Sequence, residues 1–493
     1  MISPPPELPA RPDPALLRAP RRVETVDHTL FRWYAAVIGI LLAAYMFLDR
    51  GIAYLHVPGT PLYIGELTLL LGLAGVAVGT GWVRRGVQGD ILLGLLAVWM
   101  LWGIARAVPN LGKYGFTNVA HDYALCYYGL FAILFVIVST VVPELPGRLV
   151  AGFSRIVPYV IVWELIAFGI SKSGIKGPHV TGTALFSHKG GNICVVTAFA
   201  LVFMWLVPGQ RRSATSKLVF SIIGLTTIAV SATQTRGGTG SAVIGIIVAL
   251  VLMGGRGRGR IIASTLAAVV FVVAVLGATN LTIHTKKRNI SIADLVGEAE
   301  TSLGAFSGGN SQFYGQNTGA GTTRWRENLW KNILHYQVRT GHVVDGVGFG
   351  VNLAAIGGLR ESAAKTAAGQ SELRSAHNSH LDVEARMGMI GLFLWLLIWV
   401  AWFRRMFRTR ARYKAAGDAL NKALVEVCMA TITATLINAF FDPTLEGAQV
   451  AALTWSIFGF GIILSRYPIS VPGFDVPPGT GEAAADTTPA LQQ

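Results

Sequence analysis

The sequence predicts an all-α, polytopic membrane protein with about twelve transmembrane helices and one large helical extracytoplasmic loop. Three observations predict it. The chain of 493 residues is 52% hydrophobic and only 14% charged, with a mean hydropathy of +0.52, which is too apolar for a soluble domain. Apolar runs recur at 33–48, 62–83, 90–107, 120–141, 149–170, 190–207, 218–232, 239–254, 261–278, 387–407, 420–441 and 447–466. Basic clusters fall between these runs on alternate loops, as the excess of Lys and Arg on the cytoplasmic side requires.

Residues 1–30 begin MISPPPELPARPDPALLRAPRR, a stretch rich in proline and charge without a signal-type apolar core, and read as a disordered cytoplasmic tail. Nine spans follow over 31–278. Arg84 with Arg85, Arg148, Arg211 with Arg212 and Lys217, the arginines at 256, 258 and 260, and the run RRMFRTRARYK lie on the same side as the arginine-rich N-terminus. Both termini are therefore expected in the cytoplasm. Residues 279–385 form the extracytoplasmic loop, residues 386–467 hold three more spans, and 468–493 form a second disordered cytoplasmic tail.

Within the loop, 301–323 is rich in Gly, Ser, Asn and Gln and reads as flexible. The stretch TRWRENLWKNILHYQV then places Trp325, Leu329, Ile333 and Tyr336 at helical spacing, an amphipathic helix capped by Thr322 or Thr323.

The net charge of +15 is distributed as topology-setting clusters, so no nucleic acid partner is expected. Cys126, Cys194 and Cys428 lie in or beside apolar runs without metal-ligand spacing and read as small core residues. Glu66 and Glu164 are the main intramembrane carboxylates; each is either neutralised or hydrogen-bonded to a neighbouring helix, or part of a proton relay.

Residues able to carry chemistry gather on the outer side. Arg236 in SATQTRGGTG stands where basic residues are scarce, and its flanking glycines leave backbone amides open, so loop and side chain together suit an anion; the alternative is an ordinary loop charge. Arg326 on the amphipathic helix offers a guanidinium fork, or else belongs to a solvated helix face. His377 opens the stretch HNSHLDVEARMGMIG, residues 377–391, where the outer loop enters the membrane. Asp382 is expected to pair with Arg386 at i,i+4, and Gly388 and Gly391 to be structural, allowing close helix packing.

His377 and Asn378, nine residues, then Gly388 to Gly391 match the H-[NSQ]-x9-G-x-x-G signature, and with TQTRGG, TRWRENLW and FSHKGGN (Phe186 to Asn192) the chain resembles bacterial O-antigen ligases. That family is part of a superfamily of lipid-linked glycan ligases and polymerases. The resemblance implies a glycan donor on undecaprenyl diphosphate, a lipid, glycan or protein acceptor hydroxyl at the outer face of the cytoplasmic membrane, no cofactor and no metal. Surrounding membrane lipids complete the partners.

Under that resemblance, Arg236, Arg326 and His377 are the catalytic residues. The two arginines stabilise the leaving diphosphate, and His377 either deprotonates the acceptor hydroxyl or orients the diphosphate. Arg324, Lys189, Asn192, His380 and Asn378 contribute to substrate binding. A polysaccharide polymerase or protein O-glycosyltransferase of the same superfamily is the nearest alternative. A transporter or flippase is the third, although the polar residues gather at one face rather than at mid-membrane.

Overall fold

A computed structural model describes residues 29–57, 62–78, 87–173, 177–180, 183–210, 212–232, 235–253, 259, 283–284, 289–290, 320–358 and 374–474. It is all-α apart from two hairpins of two-residue strands, His179–Val180 with Thr183–Ala184 and Ile283–His284 with Asn289–Ile290. The main helices are α1 (Thr29–Leu48), α2 (Ile64–Val78), α3 (Ile91–Ala107), α4 (Phe116–Tyr127), α5 (Leu130–Val141), α6 (Leu145–Ser173), α7 (Gly190–Leu206) and α8 (Ala214–Ser231). Then come α9 (Arg236–Leu252), α10 (Ala320–Thr340), α11 (Ser379–Ala415), α12 (Ala419–Phe441) and α13 (Ala448–Arg466).

Every expected apolar run carries a helix except 261–278, which lies outside the described residues. The count of twelve spans is nevertheless not what helix length supports. Among the described residues, seven helices (α1, α3 with its extension to Tyr114, α6, α8, α11, α12 and α13) are long and apolar enough to cross, and the bent pair α4 and α5 makes an eighth. The helices α2, α7 and α9 have 15, 17 and 17 residues. At 1.5 Å per residue they reach about 23–26 Å, short of a hydrocarbon core of about 30 Å.

Three helix irregularities are accommodated by partners elsewhere in the bundle. Pro158 inside α6 has no N–H for the Ser154 carbonyl, and Arg212 donates to that carbonyl instead. The 50° bend between α4 and α5 places Tyr127 and Tyr128 so that both hydroxyls donate to Glu66, at 2.7 and 2.6 Å. Glu66 is thus hydrogen-bonded to its neighbours, the first of the two expected readings.

The third break is at Gly388, where φ is +65° and α11 changes direction. Freed backbone groups on either side bond elsewhere. The Trp102 indole donates to the Met387 carbonyl at 2.9 Å, Val347 N–H to Ala385 at 2.8 Å, and Met389 N–H to Val343 at 3.0 Å. A Cβ at Gly388 would stand 2.2 Å from the Val344 oxygen. Gly388 therefore makes a kink and a close approach to the 343–347 segment, more than helix packing alone.

An aromatic core of Trp99, Trp395, Trp399, Trp455 and Phe458 joins α3, α11 and α13, with Trp99 and Trp395 ring centroids 5.1 Å apart. The three cysteines are buried as small core residues. At one end, Asp90 caps α3 and receives Arg405 and Arg466, each at 2.9 Å, tying α3 to α11 and α13. Glu426 there holds Arg410 and Lys422. The chain also stays packed beyond 468: Ile469 exchanges hydrogen bonds with Asn421, and Val471 is buried, so the expected C-terminal tail can begin no earlier than 475.

A small second core covers the opposite end. Leu329 and Ile333 of α10 pack with Leu353, Ala376 and Ala385, and the Trp330 indole donates to the Ala376 carbonyl at 2.8 Å. The amphipathic spacing is thus realised, but α10 starts at Ala320, so Thr322 and Thr323 fall inside it rather than before it.

Candidate active site

The segment carrying His377 is fixed by a buried ion cluster. Asp122 of α4 receives Arg386 at 2.8 Å and Arg374 at 3.1 Å, and Arg374 also donates to the Gly350 carbonyl at 2.6 Å. Arg386 thus pairs with Asp122 and not with Asp382, as i,i+4 spacing suggests. Asp382 instead accepts the Ala376 N–H at 2.7 Å, one residue before His377. Next, Asn378 caps α11, its side-chain oxygen accepting from His380 and Leu381 N–H at 3.0 and 3.2 Å.

Between these anchors His377 has φ +56°, a left-handed conformation that few non-glycine residues adopt. Its imidazole meets the Trp325 ring edge-on at 5.5 Å. Burial holds its pKa down to about 4; Asp442 opposes this, while Lys189 and Arg326 reinforce it. His377 is therefore neutral near pH 7 and stands in the field of two cations and one carboxylate.

Lys189 precedes α7 and is ion-paired with Asp442, the residue that ends α12. Its backbone N–H donates to Asp49 at 2.7 Å, and Asn192 donates to the other oxygen of the same carboxylate, also at 2.7 Å. Asp49, with φ +41°, joins the end of α1 to this loop, as does the Arg50 N–H on Ser187. Burial lowers the Lys189 pKa, and the Asp442 charge works against that.

Arg326 of α10 is half-buried, with its Nε enclosed and without a hydrogen-bond partner among the described residues. Burial lowers its pKa and Asp442 again opposes the shift. Asp442 thus acts electrostatically on His377, Lys189 and Arg326 alike.

Arg236 opens α9 and is half-buried. A Cβ at Gly237 would stand 2.4 Å from Phe441, and one at Gly238 2.5 Å from the Gly191 Cα. The two glycines thereby press the start of α9 against the start of α7 and the end of α12, beside Lys189 and Asp442. The Gly238 amide is not open, contrary to the sequence expectation, because the Thr235 hydroxyl caps it at 3.1 Å. The starts of α7 and α9 are in contact here, two helix N-termini whose dipoles favour an anion.

Not every expected binding residue faces this site. His380 accepts from the Trp395 indole at 3.0 Å through Nδ1 and donates from Nε2 to the Leu436 carbonyl at 2.9 Å. Both ring nitrogens thus already have protein partners, in place of the substrate contact expected from sequence. Asn378 is a helix cap and Asn192 a strut on Asp49, and these roles too differ from direct contact. Arg324 lies on α10 with its side chain outside the described residues. Gly391 packs against Met387 across the kink.

Beneath Lys189 lies a small cavity lined by Asp49, Glu164, His188, Asn192 and Tyr45. Glu164 is buried there, its Oε2 without a hydrogen-bond partner among the described residues. Among the described residues no group of His, Cys, Asp and Glu converges as a metal site.

Asp49 and Asp442 were not apparent as site residues from sequence. Each is an isolated acid at the end of an apolar run, in FLDRG and FFDPT, and that placement was the available signal.

Residues 220–396 match the O-antigen ligase family. The matched segment runs from α8 to the first half of α11 and contains Arg236, Arg326, His377 and both signature glycines. Lys189, Asn192, Asp49 and Asp442 lie outside it, supplied by flanking helices. No curated protein matches the chain.

Proposed function

We propose that the protein is an integral-membrane glycosyltransferase of O-antigen ligase type. It moves a glycan from undecaprenyl diphosphate to an acceptor hydroxyl at the outer face of the cytoplasmic membrane, without a metal ion. The observation that carries this is a neutral His377 set among Lys189, Arg326 and Asp442, within a segment matching the O-antigen ligase family.

In the reaction the acceptor oxygen forms a bond to the sugar C1 as the C1 to phosphate bond breaks. The electron pair of that bond leaves on the diphosphate, and the acceptor proton passes to the free imidazole nitrogen of His377. Arg326 and Arg236 stabilise the growing negative charge, in a site whose helix N-termini are already oriented. Lys189 is held by Asp442 and contributes more weakly. A diphosphate arriving beside Arg326 and Lys189 offsets their charge and so raises the basicity of His377 when the donor is bound.

The outer location is supported by charge. Arg212, Arg405, Arg410 and Arg466 lie at the end opposite the site, which suits a cytoplasmic face for that end and for both termini.

Reconstitution in vesicles with a lipid-diphosphate glycan and candidate acceptors, followed by mass analysis, tests the proposal. Transfer of a whole glycan to a lipid-core, glycan or protein acceptor in excess EDTA is expected, and the acceptor used separates ligase from polymerase or protein transferase. Donor left intact with every acceptor overturns it.

A further inference from the structure

Away from the candidate active site, α1, α5, α6, α7, α12 and α13 leave an apolar groove of about 560 Å³. Its walls are small on one side, with Ala36, Gly39 and Ala43 of α1 facing Gly152 of α6, and aromatic on the other, with Phe153 and Phe203. Among the described residues only two charged groups line it, Arg32 and Arg148. They stand in the first turns of α1 and α6, at the end of the bundle that also carries Asp90, Arg405 and Arg466. Both are exposed, and neither is paired with a carboxylate among the described residues.

We propose that this groove is a binding site for an anionic glycerophospholipid, with an acyl chain along α1 and the headgroup phosphate on Arg32 and Arg148. The volume falls within the range of about 300–1,000 Å³ typical of small-ligand pockets. The α1 wall runs from Arg32 to Met46, about 21 Å at helical rise, which exceeds the half-thickness of a bilayer core of about 30 Å and so accommodates an extended chain. Water gains no hydrogen bonds along such walls, and an empty groove would forfeit dispersion contacts. The charge is what selects the lipid. Two guanidinium groups at one mouth match phosphate oxygens, and a zwitterionic headgroup brings a competing cation to the same place.

Met46 and Leu453 line both this groove and the small cavity beside Asp49 and Glu164. A chain in the groove therefore ends beneath the loop that carries Lys189.

The test is native mass spectrometry of the purified full-length protein in detergent, titrated with dioleoylphosphatidylglycerol or dioleoylphosphatidylcholine. One phosphatidylglycerol is expected to be retained in preference to phosphatidylcholine. The Arg32→Ala/Arg148→Ala double variant should retain it about thirtyfold more weakly, the factor two arginines near an anionic headgroup supply. A Cβ at Gly152 meets nothing within 4 Å, so Gly152→Phe has room to enter the groove and should weaken retention of both lipids.

Equal retention of the two lipids by the unaltered protein overturns the proposal, as does undiminished retention by the arginine double variant. So does a polyprenyl lipid as the species that fills the groove. Should Gly152→Phe fail to fold, the arginine variant decides alone, its fold checked by tryptophan fluorescence on heating. Glycan transfer is not read in this experiment, so its outcome is independent of the catalytic proposal.

Discussion

Lys189, at the start of α7, is ion-paired with Asp442, at the end of α12; both act electrostatically on His377, and Asp442 acts on Arg326 as well. The pair joins segments 253 residues apart, one of them outside every motif legible in the chain. Its chemical consequence is a tuned imidazole. Burial keeps His377 neutral, Asp442 opposes that, and Lys189 and Arg326 add to it.

The sign of the pH dependence follows. A base acts in its neutral form, so kcat/KM for transfer should fall as pH drops through the His377 pKa of the free protein, about 4. Lys189→Met removes a repelling cation and frees Asp442, and both changes raise that pKa, moving the acid limb to higher pH. Asp442→Asn moves it lower. A pH profile of kcat/KM for the three proteins checks this, and an acid limb at the same pH in all three would remove His377 from the role of base.

Arg326 and Arg236 are expected to act on the leaving diphosphate. Replacing either with Ala should reduce kcat by about 10²–10³-fold, the usual loss for one preorganised stabilising group. Arg326→Lys should recover only part of the rate, because a point charge does not reproduce the planar fork. Steady-state transfer rates with membrane insertion verified by fractionation provide the measurement.

Asp49 positions rather than reacts. Asp49→Ala leaves the Lys189 N–H and the Asn192 amide without their acceptor, at a cost of about 1–3 kcal/mol for each buried group. The midpoint of thermal unfolding should drop, and kcat should fall with little change in KM. A drop in stability with an unchanged rate would confine Asp49 to folding.

Gly388→Ala should be severely destabilising, since a side chain there requires φ +65° and meets the Val344 oxygen. Asp122→Ala should cost about 3–5 kcal/mol, the penalty for stranding a buried charge partner, here Arg386 and Arg374. Expression level and thermal midpoint in detergent read both.

The helices were legible where hydropathy alone decides them, as at α1, α12 and α13, and the amphipathic spacing of Leu329 and Ile333 identified α10. Span count was not, because an apolar run does not reveal that α2, α7 and α9 hold only 15–17 helical residues, or that α4 and α5 bend. Arg236, Arg326 and His377 stood out because they sit in recognisable strings. Asp442 and Asp49 did not, since their role arises from distant partners. His380 shows the converse: three positions from His377, it has both ring nitrogens engaged by Trp395 and Leu436.

The most direct measurement is single-turnover transfer at saturating lipid-diphosphate glycan, with donor binding measured in parallel, for the unaltered protein and His377→Ala. The account predicts that the variant binds donor nearly as well but transfers about 10²–10⁴-fold more slowly at neutral pH. Transfer by His377→Ala at the full rate would contradict it.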